Sequence, residues 1–374
     1  MIPFNQPYYS GNEKKAISAV MDSKVLTGDA DVTIRCERLL ESKYKFKKVF
    51  LTNSCTNALE MAAMLIDIQP GDEVILPSYT FVSTSNAFAL RGAKLIFADS
   101  KPDHPNIDEE QIEKLISSKT KAIVIVHYAG IACNMDAIIR LAKKNKIRLI
   151  EDAAQCIDSF YDQKALGTFG DIACFSFHET KNIHCGEGGF IAINDASLIE
   201  RADVLRNKGT NRSAFFSGQV KKYEWVDLGF SAIPSAITSS FLYAQLLDID
   251  KVQLKRKKIW DRYFNNISGL NRSGKVKLPF VPAYASNNAH IFYLVCNDKR
   301  ERDELIVHLK KDEIQAVFHY QSLHKSPYYL DKHDGRILPN ADRYSECLLR
   351  LPLFYDLNFK DVDFISQKII EFYK

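Results

Sequence analysis

Between residues 49 and 195, short apolar runs alternate with segments of helical spacing. The runs rich in Val, Ile, Leu and Phe predict strands at Val49–Thr52, Glu73–Leu76, Lys94–Ala98, Ala122–His127, Arg148–Glu151, Ile172–Phe177 and Gly189–Ile193. Helical periodicity falls between several of them, over Asn57–Ile66, Glu109–Ser117, Met135–Lys144 and Leu198–Arg206. Strand–helix alternation of this kind predicts an α/β fold with a mostly parallel central sheet covered on both faces. The last two strands follow each other closely, so an antiparallel edge is expected there.

Past residue 250 the pattern changes. Lys251–Lys258 is a charged, helix-like run, and Ser273–Pro282 reads as a linker or short strand. A strand at Ile291–Val295, a helix at Glu301–Lys311, a strand at Ala316–His319 and a closing helix at Val362–Tyr373 follow. The chain therefore divides into a large α/β domain, residues 1–250, and a smaller C-terminal α+β domain, residues 251–374.

Composition narrows the function classes. With 374 residues, 46% of them hydrophobic, the chain has material for two packed cores. The 50 Lys plus Arg nearly balance 46 Asp plus Glu, which argues against a dedicated nucleic-acid binder. The eight cysteines include no C-x-x-C pair, so reduced thiols in a cytoplasmic protein are expected. The start Met1-Ile-Pro-Phe-Asn-Gln has neither the basic nor the apolar part of a signal peptide, and no apolar run reaches membrane-spanning length. His127, His178 and His184 lack metal-ligand spacing, and no metal is assigned.

Four strand ends carry candidate chemistry. Arg148-Leu-Ile-Glu-Asp-Ala-Ala-Gln155 places Asp152 where ligands sit in open α/β sheets, beyond the carboxyl end of a strand. A buried carboxylate there needs a cationic partner, such as a protonated ring nitrogen; otherwise Asp152 caps the next helix. Phe175-Ser-Phe-His-Glu-Thr-Lys-Asn182, with Gly186-Glu-Gly-Gly189 behind it, puts Lys181 just past another strand end. A desolvated lysine can form a Schiff base, whereas an isolated one is a solvated charge. Leu51-Thr-Asn-Ser-Cys-Thr-Asn57 opens a helix whose free N–H groups form a phosphate cradle, with Thr56, Asn57 and Ser176 as candidate contacts. Plain capping by Ser54 or Thr56 is compatible with that role. In Leu76-Pro-Ser-Tyr-Thr-Phe81, Phe81 can lie flat on a planar ring or simply belong to the core.

Taken in order, Asn53–Asn57, Pro77–Phe81, Glu151–Gln155, Phe175–Lys181 and Gly186–Gly189 resemble the DegT/DnrJ sugar aminotransferase family, and His319-Tyr320, His324 and Leu351-Pro-Leu353 extend the likeness across nearly the whole chain. The resemblance implies a type I fold dependent on pyridoxal 5'-phosphate (PLP), and a homodimer with active sites at the subunit interface. It implies that Lys181 bonds the cofactor, Asp152 pairs with its ring nitrogen, Gln155 lies beside the ring and Phe81 stacks on it. Thr56, Asn57 and Ser176 would hold the phosphate. Ser231, in Asp227-Leu-Gly-Phe-Ser231, stands where many members place an asparagine that reaches across the dimer.

The stretches Ile68–Val74, Val126–Gly130, Lys208–Ser213 and Gly218–Trp225 are most similar to the branch that forms dTDP-4-amino-4,6-dideoxygalactose. By that likeness L-glutamate donates its amino group, leaving 2-oxoglutarate and pyridoxamine phosphate (PMP). The PMP form then aminates C4 of dTDP-4-keto-6-deoxy-D-glucose for a surface polysaccharide. A 3-keto dTDP sugar or a GDP-linked sugar is the alternative acceptor. Lys208, Arg212, Lys221 and Tyr223 belong to a stretch of cations and aromatics suited to a nucleotide diphosphate, or else to a solvated loop. His319 and Tyr320 either line the sugar pocket or pack between domains. A nicotinamide-dependent oxidoreductase would need G-x-G-x-x-G in the first βα unit, which is missing. A non-catalytic relative would have little use for both Lys181 and Asp152.

Overall fold

The computed structural model describes residues 1–374. Its central sheet has seven strands: β1 (Lys48–Thr52), β2 (Glu73–Pro77), β3 (Lys94–Ala98), β4 (Thr120–Val126), β5 (Arg148–Asp152), β8 (Ile172–Ser176) and β9 (Gly189–Ile193). Between β5 and β8 lies a small hairpin, β6 (Phe160–Tyr161) and β7 (Lys164–Ala165). The spatial order is β1-β9-β8-β5-β4-β2-β3. From β8 to β3 all neighbours are parallel. The antiparallel strand is not at the edge as expected. β9 lies antiparallel to both β8 and β1, and β1 closes that side of the sheet. Sequence proximity correctly paired β8 with β9, but the return of β1 to cover β9 is a long-range contact with no local signal.

Alternation along the strands builds two cores. On β4, Ala122 and Val124 face one side with helix Cys55–Leu65, while Ile123 and Ile125 face the other with helices Asp31–Tyr44 and Met135–Asn145. Both faces are apolar, so the strands read as continuous hydrophobic runs.

The C-terminal part forms a three-stranded antiparallel sheet from β10 (Phe292–Val295), β11 (Val317–Phe318) and β12 (Leu348–Leu351), with β12 in the middle. One face, with Phe292, Leu294, Leu349 and Leu351, packs into its own core under helices Lys299–Lys311 and Phe359–Phe372. The other face, with Tyr293, Val295 and Leu348, joins the core of the large sheet. The expected boundary at residue 250 falls in the first turn of helix Ile249–Arg272, and the expected Lys251–Lys258 run is only part of that helix. In Ser273–Pro282 the ladder is reduced to a single bridge, Lys277 to Val295. The N-terminus crosses the boundary: Ile2 bridges Ile314 of the C-terminal unit. No helix is long and apolar enough to cross a membrane.

Glu151, fully buried on β5, holds the turn that carries the chain into β8. Its carboxylate accepts the N–H groups of Gly167 (2.7 Å), Phe169 (2.8 Å) and Gly170 (2.6 Å), and meets His127 Nε2 at 3.1 Å. Because Cys133 N–H donates to His127 Nδ1, the ring proton sits on Nε2 and points at Glu151. Burial alone would raise the Glu151 pKa, but His127 and the backbone donors hold it below the ordinary carboxylate value. Its stabilising contribution is therefore present above about pH 4 and is lost as acid carries the pH through the depressed value. Glu151→Ala strands three backbone donors and the imidazole, and is expected to destabilise the protein by about 3–5 kcal/mol in urea denaturation at neutral pH. The difference from the parent should shrink on acidification.

Candidate active site

The carboxyl ends of β1, β2, β5 and β8 open onto one cavity of about 920 Å³, roofed by the C-terminal sheet. Of the residues singled out above, Lys181, Asp152, Thr56, Phe81, Gln155, Ser176, His319 and Tyr320 line it.

Asp152 is the last residue of β5 and points to the face opposite Glu151, as strand alternation requires. Thr84 donates its hydroxyl to Oδ2 at 2.6 Å, and Ala154 N–H donates to Oδ1 at 3.1 Å. Thr84 is in turn 2.9 Å from the Thr80 hydroxyl. Burial raises the Asp152 pKa; these two donors, then Lys181 and His127, offset only part of that. Lys181 follows the β8 end in a turn closed by its own N–H to His178 O at 2.9 Å. Its pKa is lowered, first by burial and further by Arg350, with Cys55 and Asp152 pulling the other way. A carboxyl group that resists ionising and an amine that resists protonation thus share one cavity.

The phosphate-type features come from a helix start. Ser54 caps helix Cys55–Leu65, its Oγ accepting Asn57 N–H at 3.1 Å. The N–H groups of Cys55 and Thr56 precede any helical acceptor. Gly189 lets β9 pass directly beneath this start: a Cβ there would sit 2.6 Å from Cys55 N. The Thr56 hydroxyl lies 2.9 Å from Ser83 Oγ.

Gln155 is locked in place. Its Oε1 accepts Ala129 N–H at 2.6 Å, and its amide donates to Tyr320 Oη at 2.9 Å, leaving the Tyr320 proton free. Tyr320 stacks on His319, which meets Tyr128 Oη through Nδ1 at 2.6 Å. Phe81, 55% exposed, places its ring 6.1 Å from that of Tyr320.

Other expected residues are elsewhere. Asn57 does not line the cavity; its side-chain amide donates to Glu60 at 3.0 Å. Ser231 is exposed and bridges Asn207. Lys208, Arg212, Lys221 and Tyr223 are all exposed in the 208–225 loop, with Arg212 over the Phe216 ring at 5.3 Å. That loop is anchored where Gly209 and Gly229 cross: a Cβ on Gly229 would sit 1.9 Å from Gly209 N.

Three residues at the site, Thr84 behind Asp152 and His290 and Arg350 in the cavity lining, carried no local signal strong enough to find them. Thr84 lies in the first turn of helix Val82–Ala89. His290 donates from Nδ1 to Asn182 Oδ1 at 2.9 Å, because the Asn182 amide nitrogen is spent on Gln253 and Asn288, and so His290 turns an unprotonated Nε2 to the cavity. Arg350 lies mid-strand in β12.

A sequence model described as the DegT/DnrJ/EryC1/StrS aminotransferase family matches residues 7–370. The chain is 31% identical over 385 aligned positions to the spore coat polysaccharide biosynthesis protein SpsC of Bacillus subtilis, covering 100% of this chain and 97% of the relative. Among solved structures, a putative sugar aminotransferase of Streptococcus pneumoniae, Spr1654 in its PMP form, superposes with a TM-score of 0.92 at 25% identity, covering 100% of this chain and 99% of the other. Helicobacter pylori PseC, described as an aminotransferase of pseudoaminic acid biosynthesis, gives a TM-score of 0.90 at 26% identity over 100% and 99% of the two chains.

A carboxyl whose folded pKa is raised costs the folded state stability once the pH exceeds its unfolded value, about 4. Asp152→Asn keeps an acceptor for Ala154 N–H and can donate to Thr84, whose hydroxyl can turn to Thr80. Freed of cofactor, this variant is expected to be more stable than the parent at pH 7 by about 1–2 kcal/mol, with the gain vanishing below about pH 4. Thermal melting across that range measures it.

Proposed function

This chain belongs to the DegT/DnrJ/EryC1/StrS aminotransferase family and is a PLP-dependent sugar aminotransferase; on that premise we propose that it moves the amino group of L-glutamate to C4 of dTDP-4-keto-6-deoxy-D-glucose. The product is dTDP-4-amino-4,6-dideoxygalactose, destined for a surface polysaccharide. The observation that carries the reading is that Lys181 and Asp152 face one cavity at the carboxyl edge of the sheet, beside a helix start with free N–H groups.

The residues fit the cofactor. Asp152, destabilised as a buried anion, is matched to a protonated ring nitrogen. The Cys55 and Thr56 N–H groups with the Thr56 and Ser176 hydroxyls are matched to a phosphate. Phe81 offers a ring face, and Gln155 is held beside it. When bound, PLP supplies the electron sink for breaking the donor Cα–H bond. Lys181 Nζ, its pKa lowered by burial, takes that proton and returns it one position away. The Tyr320 hydroxyl and His290 Nε2 orient sugar hydroxyls.

The active unit on this reading is a homodimer with its sites at the interface. Ser231 and the 208–225 loop, exposed and outside the cavity of their own chain, then serve the site of the second copy. Lys208, Arg212 and Lys221 meet the diphosphate, and Tyr223 packs on the base or sugar. The exposed Phe216, Tyr223 and Trp225 find cover there.

Lys181→Ala is expected to abolish the visible absorbance of the lysine-bound cofactor and to lower turnover by about 10³-fold or more. Product NMR after incubation with dTDP-4-keto-6-deoxyglucose, its 3-keto isomer or the GDP-linked 4-keto sugar tests the substrate. Preference for either of the latter two overturns the C4-dTDP assignment.

A further inference from the structure

Only two lysines or arginines line the cavity, Lys181 and Arg350. Arg350 occupies the central strand of the C-terminal sheet, opposite Tyr293 on β10 and Val317 on β11. Its neighbours Leu349 and Leu351 point into the C-terminal core, so alternation turns Arg350 to the face that roofs the cavity. There its guanidinium forms no ion pair and no hydrogen bond with the protein, and Nε is buried without a partner. Its Cζ lies 4.7 Å from the centre of the Phe4 ring. The side chain is half-buried, and its unpartnered Nε and free terminal donors leave the fork open to an anion in the cavity.

We propose that Arg350 binds the carboxylate of the amino-acid donor, making it the residue that selects an α-amino acid for the first half-reaction. This rests on the sugar aminotransferase reading. A carboxylate matches the guanidinium fork with two parallel hydrogen bonds. In an amino donor it is bonded to the reacting carbon, within reach of a cation beside Lys181. A nucleotide-linked hexose carries its anionic groups on the nucleotide side, away from the carbon that is aminated. The phosphate-type donors at Cys55 and Thr56 come from the large sheet, so Arg350 is free for a second anion. His290 and His319, which also line the cavity, are pushed toward their neutral forms chiefly by burial and leave the guanidinium as the fixed charge.

The test separates the two half-reactions in the holoenzyme. Spectral titration with L-glutamate should show Arg350→Leu needing about 10- to 100-fold more donor, and Arg350→Lys, which keeps the charge but loses the fork, about tenfold more. Conversion of the PLP form by the nucleotide-linked amino sugar should be unchanged within about twofold in both variants. As a readout independent of turnover, 2-oxoglutarate should raise the melting temperature of the PMP form of the parent but not of Arg350→Leu. Equal losses in both half-reactions, or an unchanged glutamate titration, would overturn the assignment. If the parent reacts with glutamate but with no amino sugar, the sugar reading fails while the Arg350 assignment is still decided by the glutamate titration.

Discussion

A carboxylate at the end of a central strand, buried and only partly compensated, sets the terms for the rest of this structure. Asp152 has a hydroxyl from Thr84 and one backbone N–H, too little to stabilise a full charge away from water. The sheet holds it there because β5 is flanked on both sides by parallel strands, β4 ending level with Asp152 and β8 running two residues further. That arrangement makes the cavity a place where a positive charge beside Asp152 is favoured. It also makes the empty protein less stable than its sequence would allow.

Adjacent carboxylates show how completely position decides function. Glu151 and Asp152 are neighbours on one strand, yet alternation sends them to opposite faces. Glu151 meets three backbone donors and an imidazole and holds a turn together, and its pKa falls. Asp152 meets two donors and a cavity, and its pKa rises. The first is part of the scaffold, and the second is poised for a ligand.

The roof of the cavity has a similar division. The C-terminal sheet packs one face into its own core and turns the other toward the large sheet, bringing His319, Tyr320 and Arg350 to the cavity that Lys181 also lines. The polar tie from Asn182 through His290 and Asn288 to the Gln155 segment binds the lysine turn, the C-terminal unit and the β5 end into one network. A shift in any of these segments would therefore move all three.

Local patterns were enough to read most of the sheet, since parallel strands buried on both faces stand out as short continuous apolar runs between polar turns. They were also enough to mark the strand ends at Asp152, Lys181 and Thr56, because chemistry in such sheets gathers beyond those ends. Several helices escaped: Glu13–Ser23 buries only Glu13, and Ala236–Leu247 is apolar on several sides, so neither shows a clean stripe. Tertiary structure alone decided that β9 runs between β8 and β1, that Asn57 turns to Glu60, and that Arg350 hangs unpaired above the cavity. Each of these depends on which distant segment lies across from a residue, and spacing along one chain carries no record of what packs against it.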